Sequence, residues 1–301
     1  SACRRVARTI YIGSAPTTET AKRGIDDRRV KLGCVQPGEN VPIFGDAIRR
    51  LTDAATHLYV DGSRYWFSTQ PSVSRLAQDR AAQQLDEDLL ADLIDRLKKE
   101  QKHKGNFAGV HAVPPSSSDI PDLPEVRLVI LSPDKPHTSK SEESLALRTA
   151  QDILQSRGNS PRLYRNMLVF LAADNARLDD VKQAVRAYRA WKSIYDERIS
   201  LNLDSFQTNQ AKTKMDDSNQ SIEARIPETY QWLLVPTQPD PTDKVQWQQY
   251  RLQGEDLLSV RAAKKLIGEE LLISEYSGVR LKMDLDRIPL WRENGSHVSV
   301  K

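Results

Sequence analysis

Residues 126–174 read VRLVILSPDKPHTSKSEESLALRTAQDILQSRGNSPRLYRNMLVFLAAD. VRLVIL and MLVFLAAD are short, continuous apolar runs, the pattern of strands buried on both faces. Between them a Ser/Pro-rich loop leads into a helix from about Leu145 to Ser156, and RGNSPRLYRN turns the chain back. Strand, helix and strand over this length predict a βαβ unit with parallel strands. The expected fold class is therefore α/β, α+β overall, with a mostly parallel sheet.

Working outward toward the C-terminus, Leu178, Val181, Val185, Tyr188, Trp191 and Ile194 mark a helix whose aromatics read as packing. Residues 206–224 are polar with little apolar period, fitting either a solvated helix or a connector. ETYQWLLVP at 228–236 is strand-like, PTQPDPTDK is a loop, residues 256–273 form a helix, and VRLKMDL at 279–285 reads as a closing strand. Toward the N-terminus, Leu85 to Leu97 is a helix, and GNFAGVHAV after it is a short strand. Phe44, Ala47, Ile48, Leu51, Ala54 and Leu58 recur at intervals of three and four, the stripe of an amphipathic helix. LYVDGSRYWFST, residues 58–69, follows as a hairpin turning at Asp61-Gly62. Residues 4–12 look like the tail of a helix, whereas the glycines and prolines of VKLGCVQPGENVP exclude a long regular element there. Helix followed by hairpin is the sequence shape of a winged helix-turn-helix, and equally of an ordinary helix packed on a hairpin. The expected domains are a winged-helix-like module at 1–80 and an α/β domain at 81–301.

The 301 residues, 39% hydrophobic and 28% charged, suit a globular protein with a large core. The longest apolar run, Met167 to Ala173, has seven residues where a spanning helix needs about 20, and no secretory leader opens the chain. A cytoplasmic setting is expected. Cys3 and Cys34 form neither a CxxC pair nor a Cys/His array. The opening at Ser1 suggests a piece of something longer. The net charge is +3, but residues 1–80 carry thirteen Lys/Arg against eight Asp/Glu while the remainder is slightly acidic. A basic first quarter admits phosphate contact, although a solvated face gives similar numbers.

None of the thirteen glycines precedes a lysine, so the GxxxxGK[ST] phosphate cradle is missing, and no HExxH, GxSxG or post-strand GxGxxG occurs. The five histidines lack ligand spacing. Asp174 ends MLVFLAAD and Asp134 lies just beyond VRLVIL, so the two could share the crevice at the carboxyl side of the sheet. Asp174 also imitates the Mg²⁺-holding aspartate of phosphate-loop ATPases, while any buried strand ending in a turn favours Asp there. In the basic quarter, Arg49 and Arg50 lie off the apolar stripe and Arg64 sits just past the turn, where a winged helix would meet DNA.

RRVARTIYIGSAP, GIDDRRVKLGCVQPGENVPIFGDAIRRL and HLYVDGSRYWFST, followed in order by PEVRLVILSPD, PRLYRNMLVFLAAD, AVRAYRAWKSI, ETYQWLLVPTQPDP and LDRIPLWRENGSHVSVK, carry a resemblance over nearly the whole chain. The chain resembles the segment that follows the ATPase core in large bacterial AAA-superfamily ATPases catalogued as domain of unknown function 499. The resemblance implies that the nucleotide motifs, with ATP and Mg²⁺, lie upstream, leaving no cofactor for this chain. It implies the ATPase core as partner, and other phage-defence proteins and DNA as further partners, with no membrane. The expected function is a non-catalytic region coupling nucleotide state to DNA or partner binding. The alternatives are a protein-interaction scaffold without nucleic-acid contact and a metal- or nucleotide-dependent enzyme using Asp134 and Asp174.

Overall fold

The computed structural model describes residues 1–17, 23–68, 72–139, 141, 143–240, 242–275 and 277–287, so Lys22, Thr69 and His297 lie outside the described residues. The fold is mixed α/β and divides into two compact units, Ser1–Leu89 with Lys182–Ile222, and Leu90–Val181 with Glu223–Lys301. The expected division near residue 80 thus gives way to a discontinuous one. Residues 182–222, read as part of the second domain, cluster with the first unit.

The first unit runs α1 (Ala2–Ser14), β1 (Ile25–Asp26), α2 (Asp27–Cys34), α3 (Pro42–Ala54), β2 (Leu58–Asp61), β3 (Arg64–Phe67), α4 (Val73–Ala82) and the start of α5 (Asp86–Lys98). Its antiparallel sheet has the order β1-β3-β2. Pairing of Asp61 with Arg64 leaves Gly62 and Ser63 as the turn, one place beyond the dipeptide read from the sequence. Gly62 takes φ +55°, the positive value that the first position of such a turn demands. Asp26 caps α2, accepting the Arg28 amide at 2.9 Å and the Ser63 hydroxyl at 3.0 Å, which ties the hairpin tip to that helix. Those two hydrogen bonds hold the Asp26 carboxyl below its ordinary range. Of the expected stripe, Phe44, Ala47 and Ile48 are buried and Leu51 is half-buried, whereas Ala54 is exposed at the helix end and Leu58 belongs to β2. Phe44, Ala47 and Ile48 pack with Val6 and Ile10 of α1 and with Val30 and Cys34 of α2. Pro42 sits in the first turn of α3, where its missing amide leaves nothing unpaired. The eight-residue α2 and the ten-residue α4 went unread in the sequence, α2 because Pro37 and Gly38 stop it after two turns.

The second unit continues with β4 (Gly109–Ala112), β5 (Arg127–Ile130), α6 (Leu145–Gln155), the two-residue strands β6 (Ser156–Arg157) and β7 (Ser160–Pro161), and β8 (Leu168–Ala172). After α7 (Leu178–Asp196) and α8 (Ser205–Thr229) come β9 (Trp232–Thr237), β10 (Gln246–Arg251), α9 (Leu258–Gly268) and α10 (Gly278–Asp286). The main sheet has the order β10-β9-β8-β5-β4. β4, β5 and β8 are parallel, and β5-α6-β8 is the βαβ unit read at 126–174. β9 and β10 pair antiparallel, so the sheet is mixed rather than mostly parallel. Connection length accounts for the last pair: β9 and β10 follow each other too closely for a crossover and form a hairpin, whereas β8 and β9 pair antiparallel although α7 and α8 lie between them. Val129, Phe170 and Leu234 bury one face against α6, while Leu128, Ile130, Leu171 and Leu233 are fully buried on the other.

Residues 279–285, read as a strand from their every-second-residue apolar pattern, lie instead in α10. Ser277 caps that helix by accepting the Arg280 amide at 3.1 Å. A strand needs a neighbour for its backbone groups and a helix does not. Residues 182–222 supply the later turns of α7 and most of α8 to the first unit. Trp191 packs beside Val73, Ala77, Ile194 and Ala211, in keeping with its reading as packing. Trp66 stacks on Tyr59 and meets Phe206, each at 5.6 Å between ring centres, and Gln207 donates to the Tyr59 hydroxyl at 2.6 Å.

Candidate functional site

Two regions hold the residues singled out from the sequence. On α3 of the first unit, Arg49 and Arg50 are exposed, as the helical stripe requires. Arg49 pairs with Asp46 one turn earlier on the same helix. Ile43, Asp46, Arg49, Arg50 and Asp53 are all exposed on that helix, so its outward charge is balanced. Arg64 points elsewhere. Its Nε donates to the Arg23 carbonyl at 2.9 Å and its Nη2 to the Gly24 carbonyl at 2.6 Å, fastening the chain just ahead of β1 to β3. The three arginines therefore do not act as one set. A cleft of about 540 Å³ between α3 and the hairpin turn is lined by Asp27 and Asp46 as well as Lys31 and Arg49.

In the second unit, β5 and β8 are adjacent and parallel, which places Asp134 and Asp174 beyond the carboxyl ends of neighbouring strands, as expected. Their side chains are engaged separately. Burial acts to raise the Asp134 carboxyl, but hydrogen bonds from Ser132 and Lys135 outweigh it and hold the group below its ordinary value. Asp174 accepts the Ala176 amide at 2.9 Å, capping a short helical turn, and its other oxygen accepts Gln231 Nε2 at 2.6 Å. Among the described residues no cluster of three His, Cys, Asp or Glu side chains forms a metal-ligating group.

His137, unremarkable in the sequence, is fully buried near the same sheet end. Its Nδ1 lies 2.7 Å from Ser144 Oγ and its Nε2 lies 3.1 Å from Gln249 Oε1. Ser144 Oγ also accepts the Leu147 amide at the start of α6, and Gln249 Nε2 donates to the Ser141 carbonyl. The Ser144 proton then goes to Nδ1 and the imidazole proton sits on Nε2, so every group in the chain is satisfied. Burial keeps this histidine below its ordinary pKa, against the Gln249 hydrogen bond and the charge of Asp174. The Ser-His contact is a buried brace for the loop between β5 and α6.

The cavity in this unit is built by residues that the sequence reading passed over. It measures about 500 Å³ and is lined by Arg177, Glu228, Gln231, Arg251, the Gln253–Glu255 turn and Arg261. Arg177 follows Asp174 on the helical turn beyond β8, Gln231 immediately precedes β9, Arg251 ends β10, and Arg261 lies in the first turn of α9. Arg251 Nε donates to Gln231 Oε1 at 2.8 Å, so the chain Asp174–Gln231–Arg251 is continuous. Arg261 is 4% exposed and donates to the carbonyls of Gly254, Pro227 and Tyr230. Its Nε has no partner among the described residues. Arg177 meets Glu228 at 3.5 Å in a largely exposed pair. The four segments are far apart in sequence and each arginine has an ordinary neighbourhood, so no local motif flags them.

The described residues thus define a two-unit α/β protein with a charge-balanced helix face in one unit and an arginine-lined cavity at the sheet end of the other. No family model, curated protein or solved structure matches the chain. Among the described residues no helix is long and apolar enough to cross a membrane.

Proposed function

We propose that the chain is a non-catalytic recognition region whose first unit is a winged helix-turn-helix used for docking a protein, carried in the cytoplasm by an AAA-type ATPase. The winged-helix part rests on element order. Helix, strand, helix, helix and hairpin follow one another from α1 to β3, with β1 added beside β3, so α2 and α3 take the place of the helix-turn-helix and β2-β3 that of the wing. The loop between α2 and α3, residues 35–41, is longer than the three or four residues usual in this motif. The ATPase parent, its ATP and Mg²⁺, and the defence-protein partners rest on the resemblance alone.

The observation that carries docking of a protein rather than DNA is the balanced charge of α3. A helix entering the major groove needs cations outward, and here Asp46 and Asp53 offset Arg49 and Arg50 while Arg64 is spent on backbone carbonyls. The DNA reading predicts binding that weakens with salt by roughly 0.9 log units per log unit of salt for each phosphate neutralised. Fluorescence anisotropy of a labelled duplex across a salt series tests it. Docking of a protein predicts no saturation by DNA at low salt, while strong, salt-sensitive binding lost in the Arg49→Ala/Arg50→Ala double variant would overturn the proposal.

A further inference from the structure

Independently of that reading, the cavity at the end of the second unit's sheet has the features of a built anion site. Arg251 is positioned before any ligand arrives, because Gln231 holds its Nε and Asp174 holds Gln231. Gln231 is itself 5% exposed, so the brace is shielded from competing water. With Nε occupied, the two terminal nitrogens of Arg251 remain as a planar fork, the geometry that matches two oxygens of an oxyanion. Arg261 adds a buried positive charge in the wall, hydrogen-bonded to three carbonyl oxygens and in the field of the Asp256 and Glu100 carboxylates. Arg162, elsewhere in the unit, shows the contrast. It is similarly buried and donates through Nε, Nη1 and Nη2 to the carbonyls of Ile153, Ile120, Pro121 and Ser117, whereas Arg261 lines a cavity and its buried Nε has no partner among the described residues.

Two carboxylates also line the space, Glu228 and Glu255. Glu228 is the loose partner of Arg177, and its own exposure lets it swing into solvent when a stronger acceptor takes that arginine. Glu255 is exposed on the turn after Gly254. Three guanidinium groups against these two solvated carboxylates leave a net charge of +1, rising to +2 where Glu228 turns away, which favours an anionic ligand. The volume of about 500 Å³ is that of a small-molecule pocket rather than of a polymer groove.

We propose that this cavity binds the phosphate group of a small phosphate monoester, with Arg251 as the fork, Arg177 and Arg261 as flanking cations, and Asp174 and Gln231 as positioning residues. The location outside the sheet end is where open α/β sheets commonly seat ligands.

Isothermal titration calorimetry on the full chain tests the assignment, with inorganic phosphate and ribose 5-phosphate as probes in chloride buffer. Both should saturate, and Arg251→Ala should weaken them about ten-fold. Arg251→Lys keeps the charge but loses the fork, so it should weaken binding nearly as much. Gln231→Leu should weaken binding several-fold with the melting temperature checked alongside, since a purely structural glutamine would change melting and not affinity. Arg148→Ala, at an exposed position of α6, should leave binding unchanged. Tighter binding of ribose 5-phosphate than of phosphate supports recognition of the ester, and equal binding supports recognition of the phosphate group alone. The proposal is overturned if neither probe saturates by about 10 mM, or if Arg251→Ala and Arg251→Lys bind as the parent does.

Discussion

On α3 of the first unit, Arg49 closes an ion pair with an aspartate of its own helix, while Arg64 is folded back onto two backbone carbonyls. In the second unit, Arg251 is held by a glutamine that is held by an aspartate, beside a cavity whose wall contains a buried arginine. Residue type is the same and consequence is not. A long cation on an open helix face is solvated, costs little to remove and recognises little, whereas one braced from behind in a concave space presents a fixed donor geometry. Charge counted along a sequence does not distinguish the two.

The sharpest test of that contrast is Arg261→Ala. It deletes the donors to the Gly254, Pro227 and Tyr230 carbonyls from a site that is 4% exposed, so urea denaturation should show a loss of about 3 kcal/mol. Arg64→Ala should cost less, about 2 kcal/mol, because it removes charged hydrogen bonds from a half-exposed position. Arg50→Ala should leave stability unchanged. A loss at Arg50 as large as that at Arg64 would break the comparison, since it would give the exposed helix face a structural duty.

Acid sharpens it further. His111 and His137 of the second unit are held below the ordinary histidine value by burial, with Arg127 and Arg162 adding to the effect at His111. His57 of the first unit is exposed. A base whose folded pKa is depressed binds fewer protons folded than unfolded. Its contribution is therefore present above about pH 6.5 and is lost as pH falls through that value toward the folded pKa. Each buried histidine should steepen the loss of stability by at most about 1.4 kcal/mol per pH unit. Denaturation of the chain at pH 7.5 and 5.5 should show the second unit weakening first, and His137→Gln should flatten that dependence. Equal weakening of both units would place the acid-sensitive groups elsewhere.

Continuous apolar runs fixed β5 and β8, three-and-four spacing fixed α3, α5, α7 and α9, and Gly62 marked the hairpin to within one residue. Failures fell where periodicity was weak or misleading. QWQQYR shows no apolar alternation because β10 is an edge strand with one partner, and the alternating residues of α10 are exposed in a helix that buries none of them. Asp134 and Asp174 were found at their strand ends because a strand end is a local feature. Their partners were not, since Ser132 and Lys135 engage one within its own loop while Gln231, 57 residues away, claims the other.

The amino-acid sequence by itself determined which segments are buried and with what period, hence the βαβ unit, the helix-hairpin order of the first unit and the absence of a lysine-bearing phosphate loop. Tertiary structure alone decided the antiparallel half of the sheet, the return of residues 182–222 to the first unit and the assembly of Arg177, Gln231, Arg251 and Arg261 around one cavity. The physical reason is range. Backbone preference and apolar spacing act over a turn or a strand, whereas a pocket is set by which distant carbonyls and carboxylates each guanidinium meets once the core has closed, and that information is written in no single stretch of chain.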